Sequence, residues 1–329
     1  DSLLDVKDSL KAYKDSVREA TPRILETFAL PDTMQYKRII QWTHEREFHK
    51  MDVSEPDTSY NYWFHDYPFY RKDVNATWLG VAGSALQYYD WFNRTSENGV
   101  SFYNPYEAWT YSAKTLPMYN TKTPYTELAY FGTIFANSQK ESDNLHILTT
   151  QNIFPAFNFT LEYDRFGGNG IMQNEKTTNK TFVSSVNYLG RKYLMHAGYI
   201  HNKIKRNENG GTSDNSMVRD TTLDAREYPV FLDNASTSII RNTLFLDQQY
   251  RIPFTFIRKI KDRKIDKAFK DSVLASGDTS LIASLDRLMD ERRAARAEAD
   301  TIENDNITTA FIGHSSEYSV FRKSYEDNI

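Results

Sequence analysis

The run His44-Glu45-Arg46-Glu47-Phe48-His49 carries two histidines five positions apart. A zinc-peptidase helix needs them four apart, so that both reach the metal from one face. The run therefore reads as a solvated polar stretch. Gly80-Val81-Ala82-Gly83-Ser84 lacks the further glycine of a dinucleotide turn and the lysine of a phosphate loop, which leaves a tight turn. Ser184 and His196 fall on neighbouring predicted strands, where a nucleophile and its base could meet. Neither has a motif around it, and both are ordinary strand residues. Asn75-Ala76-Thr77 and Asn158-Phe159-Thr160 match a glycosylation pattern, but the second lies inside a predicted strand and both read as chance. The chain has no cysteine, which excludes disulfides, thiolate metal sites and cysteine nucleophiles. No catalytic, metal-binding or cofactor-binding residue is expected, and the chain is not read as an enzyme.

The constellation that does point to a function lies in the run Phe157-Asn158-Phe159-Thr160-Leu161-Glu162-Tyr163-Asp164. Successive side chains leave a strand on opposite faces, so Phe157, Phe159, Leu161 and Tyr163 share one face. Asn158, Thr160, Glu162 and Asp164 share the other. One face suits an apolar medium and the other suits water, and the medium could be a protein core or a lipid. In a membrane barrel the polar four would line the lumen, where acidic side chains favour cations, and the apolar four would meet lipid. On a half-exposed soluble sheet the polar four would simply face solvent.

The elements that hold this run follow from the rest of the chain. The 329 residues suffice for one large sheet structure or two ordinary domains. A formal net charge of -4 gives no basic field for nucleic acid. Tyrosine (22) and phenylalanine (20) are abundant, which suits the aromatic girdles of a membrane barrel and equally a carbohydrate-binding sandwich. No run approaches ~18 apolar residues, the length a membrane-crossing helix needs. No signal-peptide pattern opens the sequence at Asp1-Ser2-Leu3-Leu4, which leaves a cytosolic chain and a mature exported one both open.

Along the chain, Leu3, Val6, Leu10, Tyr13 and Val17 form a narrow helical seam ending near Thr21-Pro22, so residues 1–22 are expected to be a helix. It would pack on its own domain or self-associate as a short coil. Residues 23–119 are aromatic-rich and irregular, with short strands and loops folded inside or across the mouth of a larger sheet. Regular strand signals begin after Asn120. The runs 125–136, 144–153, 157–166, 180–189, 193–204, 238–252 and 307–325 each span about ten residues or more, above the ~5–6 usual in soluble sheets. A tilted bilayer strand needs ~9–11 residues. Short turns at Phe154-Pro155 and at 190–192 alternate with long polar connections expected at 167–179 and 205–237. That parity fits a meander with short periplasmic turns and longer outer loops. Residues 253–305 depart from it as a charged helical insertion, expected on the periplasmic side, and 306–329 return to a barrel strand.

Several pieces, in order and spacing, resemble the Putative porin family of Bacteroidota. They are Leu79-Gly80-Val81-Ala82-Gly83-Ser84-Ala85, Asn120-Thr121-Lys122-Thr123-Pro124-Tyr125-Thr126-Glu127-Leu128 and Thr150-Gln151-Asn152-Ile153. Gly167-Gly168-Asn169-Gly170, Glu208-Asn209-Gly210-Gly211 and Ile312-Gly313-His314 continue the likeness. The resemblance implies an all-β, antiparallel up-and-down transmembrane β-barrel in the bacterial outer membrane, passing small hydrophilic solutes without covalent chemistry or cofactor. Family members run longer, so the chain is expected to be an N-terminal portion of a longer barrel. The alternative is a non-conducting scaffold barrel, plugged by the aromatic region and recruiting periplasmic partners, or a second copy, through helices 1–20 and 253–305.

Overall fold

The computed structural model describes Met34 and residues 36–45, 50–56, 76–93, 100–132, 143–190, 192–217, 222–277, 279–299 and 308–327. The expected helix at 1–22, the aromatic run at 60–70, and residues 133–136, 191 and 300–305 lie outside these. The chain divides into two compact units. One comprises Leu30–Tyr188, Met195–Asp247 and Ser315–Ile329, and the other comprises Asp1–Ala29, Leu189–Leu194 and Gln248–His314.

The seven long alternating runs are the seven strands of one sheet: β6 (Tyr125–Gly132), β7 (Asp143–Phe154), β8 (Phe157–Asn169), β9 (Lys176–Leu189), β10 (Tyr193–Glu208), β11 (Ala235–Pro253) and β12 (Thr308–Glu326). Their order in the sheet is their order in the chain, so every neighbour is the preceding or following strand. β6, β7, β8 and β9 pair antiparallel, with His146 opposite Asp164 and Leu148 opposite Glu162. Among the described residues β6 and β12 each have one strand neighbour, and the sheet is open at both edges. From β7 to β12 the strands run 12 to 19 residues.

One expected loop is corrected. Residues 167–179 are not a long connection, because β8 continues to Asn169 and β9 begins at Lys176. The glycines that suggested a loop serve a close strand approach instead. A Cβ on Gly167 would lie 2.3 Å from the backbone oxygen of Thr177, so only glycine fits there. The chain reverses in six residues, with Asn174 at φ 51°, a left-handed position that asparagine tolerates. The connection after β10 shortens likewise, since β10 runs to Glu208. The turn at Pro155 and Ala156 is tight, and Phe154 stacks on Phe157 across it at 5.2 Å.

Five short strands precede the large sheet. β1 (Ile39–Glu45) pairs with β2 (Lys50–Ser54) and β5 (Met118–Thr121), while β3 (Ala76–Trp78) pairs with β4 (Leu86–Tyr88). Between β3 and β4 the expected turn appears, with Gly80 and Gly83 both at φ 92°. Burial of apolar surface is the main favourable term in holding such short pieces, which isolated two-stranded ribbons lack. Here Ala82, Leu86, Tyr88 and Trp109 cluster with Phe166 of β8.

The other unit contains the charged segment, which is helical: α1 (Phe254–Ser276), α2 (Thr279–Ala283) and α3 (Leu285–Ala299). Gly277, at φ 70°, ends α1 in the left-handed conformation that closes many helices. Val273 and Leu285 are buried, and the Arg292 guanidinium lies 4.2 Å over the ring of Phe269. Among the described residues no helix is long and apolar enough to cross a membrane.

Candidate functional site: the polar face of the sheet

The large sheet is inverted relative to a water-soluble one. Its buried face is rich in polar side chains, namely Thr150 on β7, Asn158, Thr160 and Glu162 on β8, Thr177, Asn179, Thr181, Ser185 and Asn187 on β9, and His196 and Asn202 on β10, with Leu148, Val183, Ile200 and Phe245 buried among them. Large apolar side chains alternate with them on the opposite face and are exposed, among them Leu128 (71%), Ile147, Phe182, Tyr199, Leu244 (60%) and Tyr250. Glutamate is almost never fully buried in water-soluble proteins unless paired, yet Glu162 is 2% exposed while Leu244 faces out. On β8, Phe157, Phe159, Leu161 and Tyr163 are half-buried on the outward side, and Asp164 is partly buried on the inward side.

Buried polar groups are costly unless hydrogen-bonded, and most side chains of this face make at least one bond, although Asn179 Oδ1, Asn187 Oδ1 and His196 Nδ1 have no hydrogen-bond partner. The Thr150 hydroxyl donates to Asn158 Oδ1 at 3.1 Å, and Thr160 donates to the same oxygen at 2.9 Å. Asn158 Nδ2 donates to Asn152 Oδ1 at 2.7 Å, an oxygen that also accepts from the Thr121 backbone N–H at 3.0 Å. With that last bond the network leaves the large sheet and enters β5.

The same device recurs across β9 and β10, where inward amides satisfy the backbone of the preceding segment. Asn179 donates to the Gly83 carbonyl (3.0 Å), Asn187 to the Tyr119 carbonyl (2.9 Å) and Asn202 to the Tyr111 carbonyl (2.9 Å). Thr177 donates to the Ala82 carbonyl. Apolar contacts fill between these bonds. Trp109 stacks on Phe166 at 4.8 Å, and its indole N–H donates to the Ser84 carbonyl at 2.7 Å. Tyr103 packs edge-on to Phe321, with Arg241 lying 5.3 Å over its ring. Burial pushes the Tyr103 phenol up from its ordinary value, against the opposing effects of the Thr110 hydrogen bond and the Arg241 charge. Residues 79–93 and 100–121 thus lie on the polar face of β8–β10 and cover part of it.

One reading from spacing is corrected, and Ser184 and His196, which read as ordinary strand residues in the sequence, can be placed. His44 is not solvated: it is 6% exposed, because β1 carries it inward. Its ring lies 4.7 Å from that of His196, and its Nδ1 is 4.0 Å from an Asp247 oxygen. His49 lies outside the described residues. Ser184 and His196 do not form a catalytic pair, because strand alternation puts them on opposite faces. Ser184 is flanked by inward Val183 and Ser185, whereas His196 is buried and accepts a 3.0 Å bond from the Trp42 indole N–H.

Of the four polar residues singled out on β8, Asn158 and Thr160 belong to the network leading to Thr121. Glu162 and Asp164 form a separate corner with His146, whose Nδ1 lies 3.9 Å from Glu162 and 2.5 Å from Asp164. Spacing had not singled out His146, Asn179, Asn187 or Asn202. A signal existed, since Thr177, Asn179, Thr181, Ser185 and Asn187 alternate on β9 as the four do on β8.

No curated protein and no solved structure matches the chain. A family model described as Putative porin matches residues 38–329, a span that takes in the short-strand segment, all seven long strands and the helices. Membership in that family implies an outer-membrane, porin-like protein and accounts for a sheet whose apolar side chains face outward. The chain belongs to the Putative porin family.

Proposed function

We propose that the seven-stranded sheet is part of the wall of an outer-membrane β-barrel, through which small hydrophilic solutes pass passively. The observation that carries this reading is the inversion of burial: Asn158, Thr160 and Glu162 inward and buried, Leu128, Leu244 and Tyr250 outward and exposed. A bilayer rewards that arrangement, and water penalises it. Strands of 12 residues or more, from β7 to β12, support it, since a tilted crossing needs about 9–11. The edges at β6 and β12 could not lie unpaired in hydrocarbon, so on this reading further antiparallel strands close the barrel. Lipid then contacts Phe157, Phe159, Leu161 and Tyr163. Glu162 and Asp164 face the lumen and favour cations over anions.

A second reading is favoured by one specific observation, the bonding of the Gly83, Tyr111 and Tyr119 carbonyls to the inward amides of β9 and β10. In that reading the segment plugs the lumen and the barrel is a non-conducting scaffold. The charged helices α1–α3 would then offer a periplasmic partner, or a second copy of the chain, its docking surface. Planar-bilayer recordings of the purified full-length protein separate the two. Discrete openings with a cation-selective reversal potential in a salt gradient are expected of the pore. Silent bilayers, from protein that is folded and inserted, would sink the pore and leave the scaffold.

A further inference from the structure

Charge on helix α1 is sorted by face. Its 23 residues carry seven lysines and arginines against three aspartates. Ile260, Arg263, Lys267, Lys270 and Leu274 recur at spacings of three and four, so they share one side of the helix. Ile260 (40%) and Leu274 (49%) are exposed there. Aliphatic side chains thus stand open to solvent at both ends of a run of three cations. That is the composition of a helix that lies on a lipid surface.

The neighbouring helix α3 adds a fourth cation. A cavity of about 450 Å³ between the two is lined by Arg263, Asp266, Lys267 and Lys270 of α1 and by Met289 and Arg293 of α3. That volume lies within the roughly 300–1,000 Å³ of small-ligand sites, but the lining is ionic where theirs is mostly apolar. Asp290 lies 3.5 Å from Arg293, so two carboxylates stand with four cations. Like charges three or four residues apart disfavour a helix, and Arg293 adds to them from the facing one. An anion in the cavity turns that repulsion into attraction.

The chain's path says where such an anion comes from. Strand β11 passes into α1 without a linker, Pro253 ending the strand and Phe254 starting the helix. The Arg251 N–H donates to the Lys192 carbonyl at 2.8 Å, so α1 leaves from the end of the sheet that carries the short 190–192 turn. Short turns mark the periplasmic rim of an outer-membrane barrel. At 1.5 Å per residue, Arg263 to Lys270 lie roughly 15–25 Å of helix from the end of β11, so a helix lying along the rim keeps all three cations at headgroup level. We propose that this face of α1, with Arg293, binds the phosphate headgroups of anionic phospholipid in the periplasmic leaflet, while Ile260 and Leu274 enter the acyl boundary. Phosphate fits because the guanidinium groups of Arg263 and Arg293 can hold its oxygens in pairs and the two lysines add point charges. The proposal rests on the membrane-wall reading and holds whether or not the lumen conducts.

The test is hydrogen exchange of the purified full-length protein in nanodiscs of phosphatidylcholine, with and without added phosphatidylglycerol. Phosphatidylglycerol should slow exchange over residues 259–274 about fivefold or more, the effect of a single cation held at an anionic surface. Salt at about 1 M, where the Debye length is about 3 Å, should abolish the difference. Lys267→Gln combined with Lys270→Gln should lose most of the protection while exchanging as the parent does in phosphatidylcholine alone. Lys261→Gln combined with Lys264→Gln removes equal charge from residues that do not line the cavity, and should keep it. Equal exchange in the two lipids, or equal losses in the two double variants, would overturn the proposal. So would equal protection by inorganic phosphate in phosphatidylcholine discs, which marks a free-anion site, or protection that follows protein concentration, which marks a second copy. Salt-resistant insertion with no effect of phosphatidylglycerol would sink this site and leave the wall standing. Vesicle binding that needs phosphatidylglycerol and is released by salt would do the reverse.

Discussion

Asn158 illustrates how far a single residue departs here from its behaviour in a soluble protein. Its side chain is fully buried, and both ends of its amide are used: Oδ1 accepts from Thr150 and Thr160, and Nδ2 donates to Asn152. Replacing it by leucine keeps the volume and removes the acceptor of the Thr150 hydroxyl, while Thr160 retains only its 2.9 Å bond to Thr150. Asn158→Leu should therefore destabilise the protein by about 1–3 kcal/mol, the cost of leaving buried polar groups unsatisfied. The measurement is the urea midpoint of the protein in detergent. In a protein core such a substitution on a buried face often stabilises, so an unchanged or raised midpoint would contradict the bonded network. Phe159→Leu, one residue away on the outward face, should move the midpoint far less.

At the scale of elements, the tightest constraint lies where β8 and β9 converge. A side chain at 167 would meet the Thr177 carbonyl, so Gly167→Val should force the strands apart or shift their register. We expect a loss of about 1–3 kcal/mol, as for other overpacked sites, seen as a lowered urea midpoint. Hydrogen exchange should show the added loss of protection confined to the β8–β9 ends. The same residue shows what a sequence can and cannot disclose. The seven long strands were legible because a period of two persists in each over ten residues or more. Gly167-Gly168-Asn169-Gly170 read as a loop because glycine marks both turns and close approaches, and only the facing strand tells them apart. The short-strand segment was barely legible. Its alternation is broken, and its backbone groups find partners far along the chain, as Gly83 does with Asn179, 96 positions later. The four polar residues on β8 share one face, as their alternation suggested, yet His146 went unnoticed. Its importance depends on the pairing of β7 with β8, which no local pattern encodes.

At the scale of the whole molecule, the account rests on one assignment: the outward face of the large sheet meets hydrocarbon and the inward face does not. The absence of cysteine makes this directly measurable, since single cysteines can be introduced without removing any native one. Strand β9 is the best ruler, because its inward side is buried at every second residue from Thr177 to Leu189. Spin labels placed one at a time from 180 to 188, on protein reconstituted in lipid vesicles, report collisions with oxygen and with a water-soluble nickel chelate. The account predicts a period of two. Oxygen accessibility should peak at Phe182, Ser184 and Val186, with almost no nickel collisions there, and fall at Thr181, Val183, Ser185 and Asn187. Nickel collisions at 182, 184 and 186 matching those of a water-exposed loop would place that face in water and contradict the membrane wall.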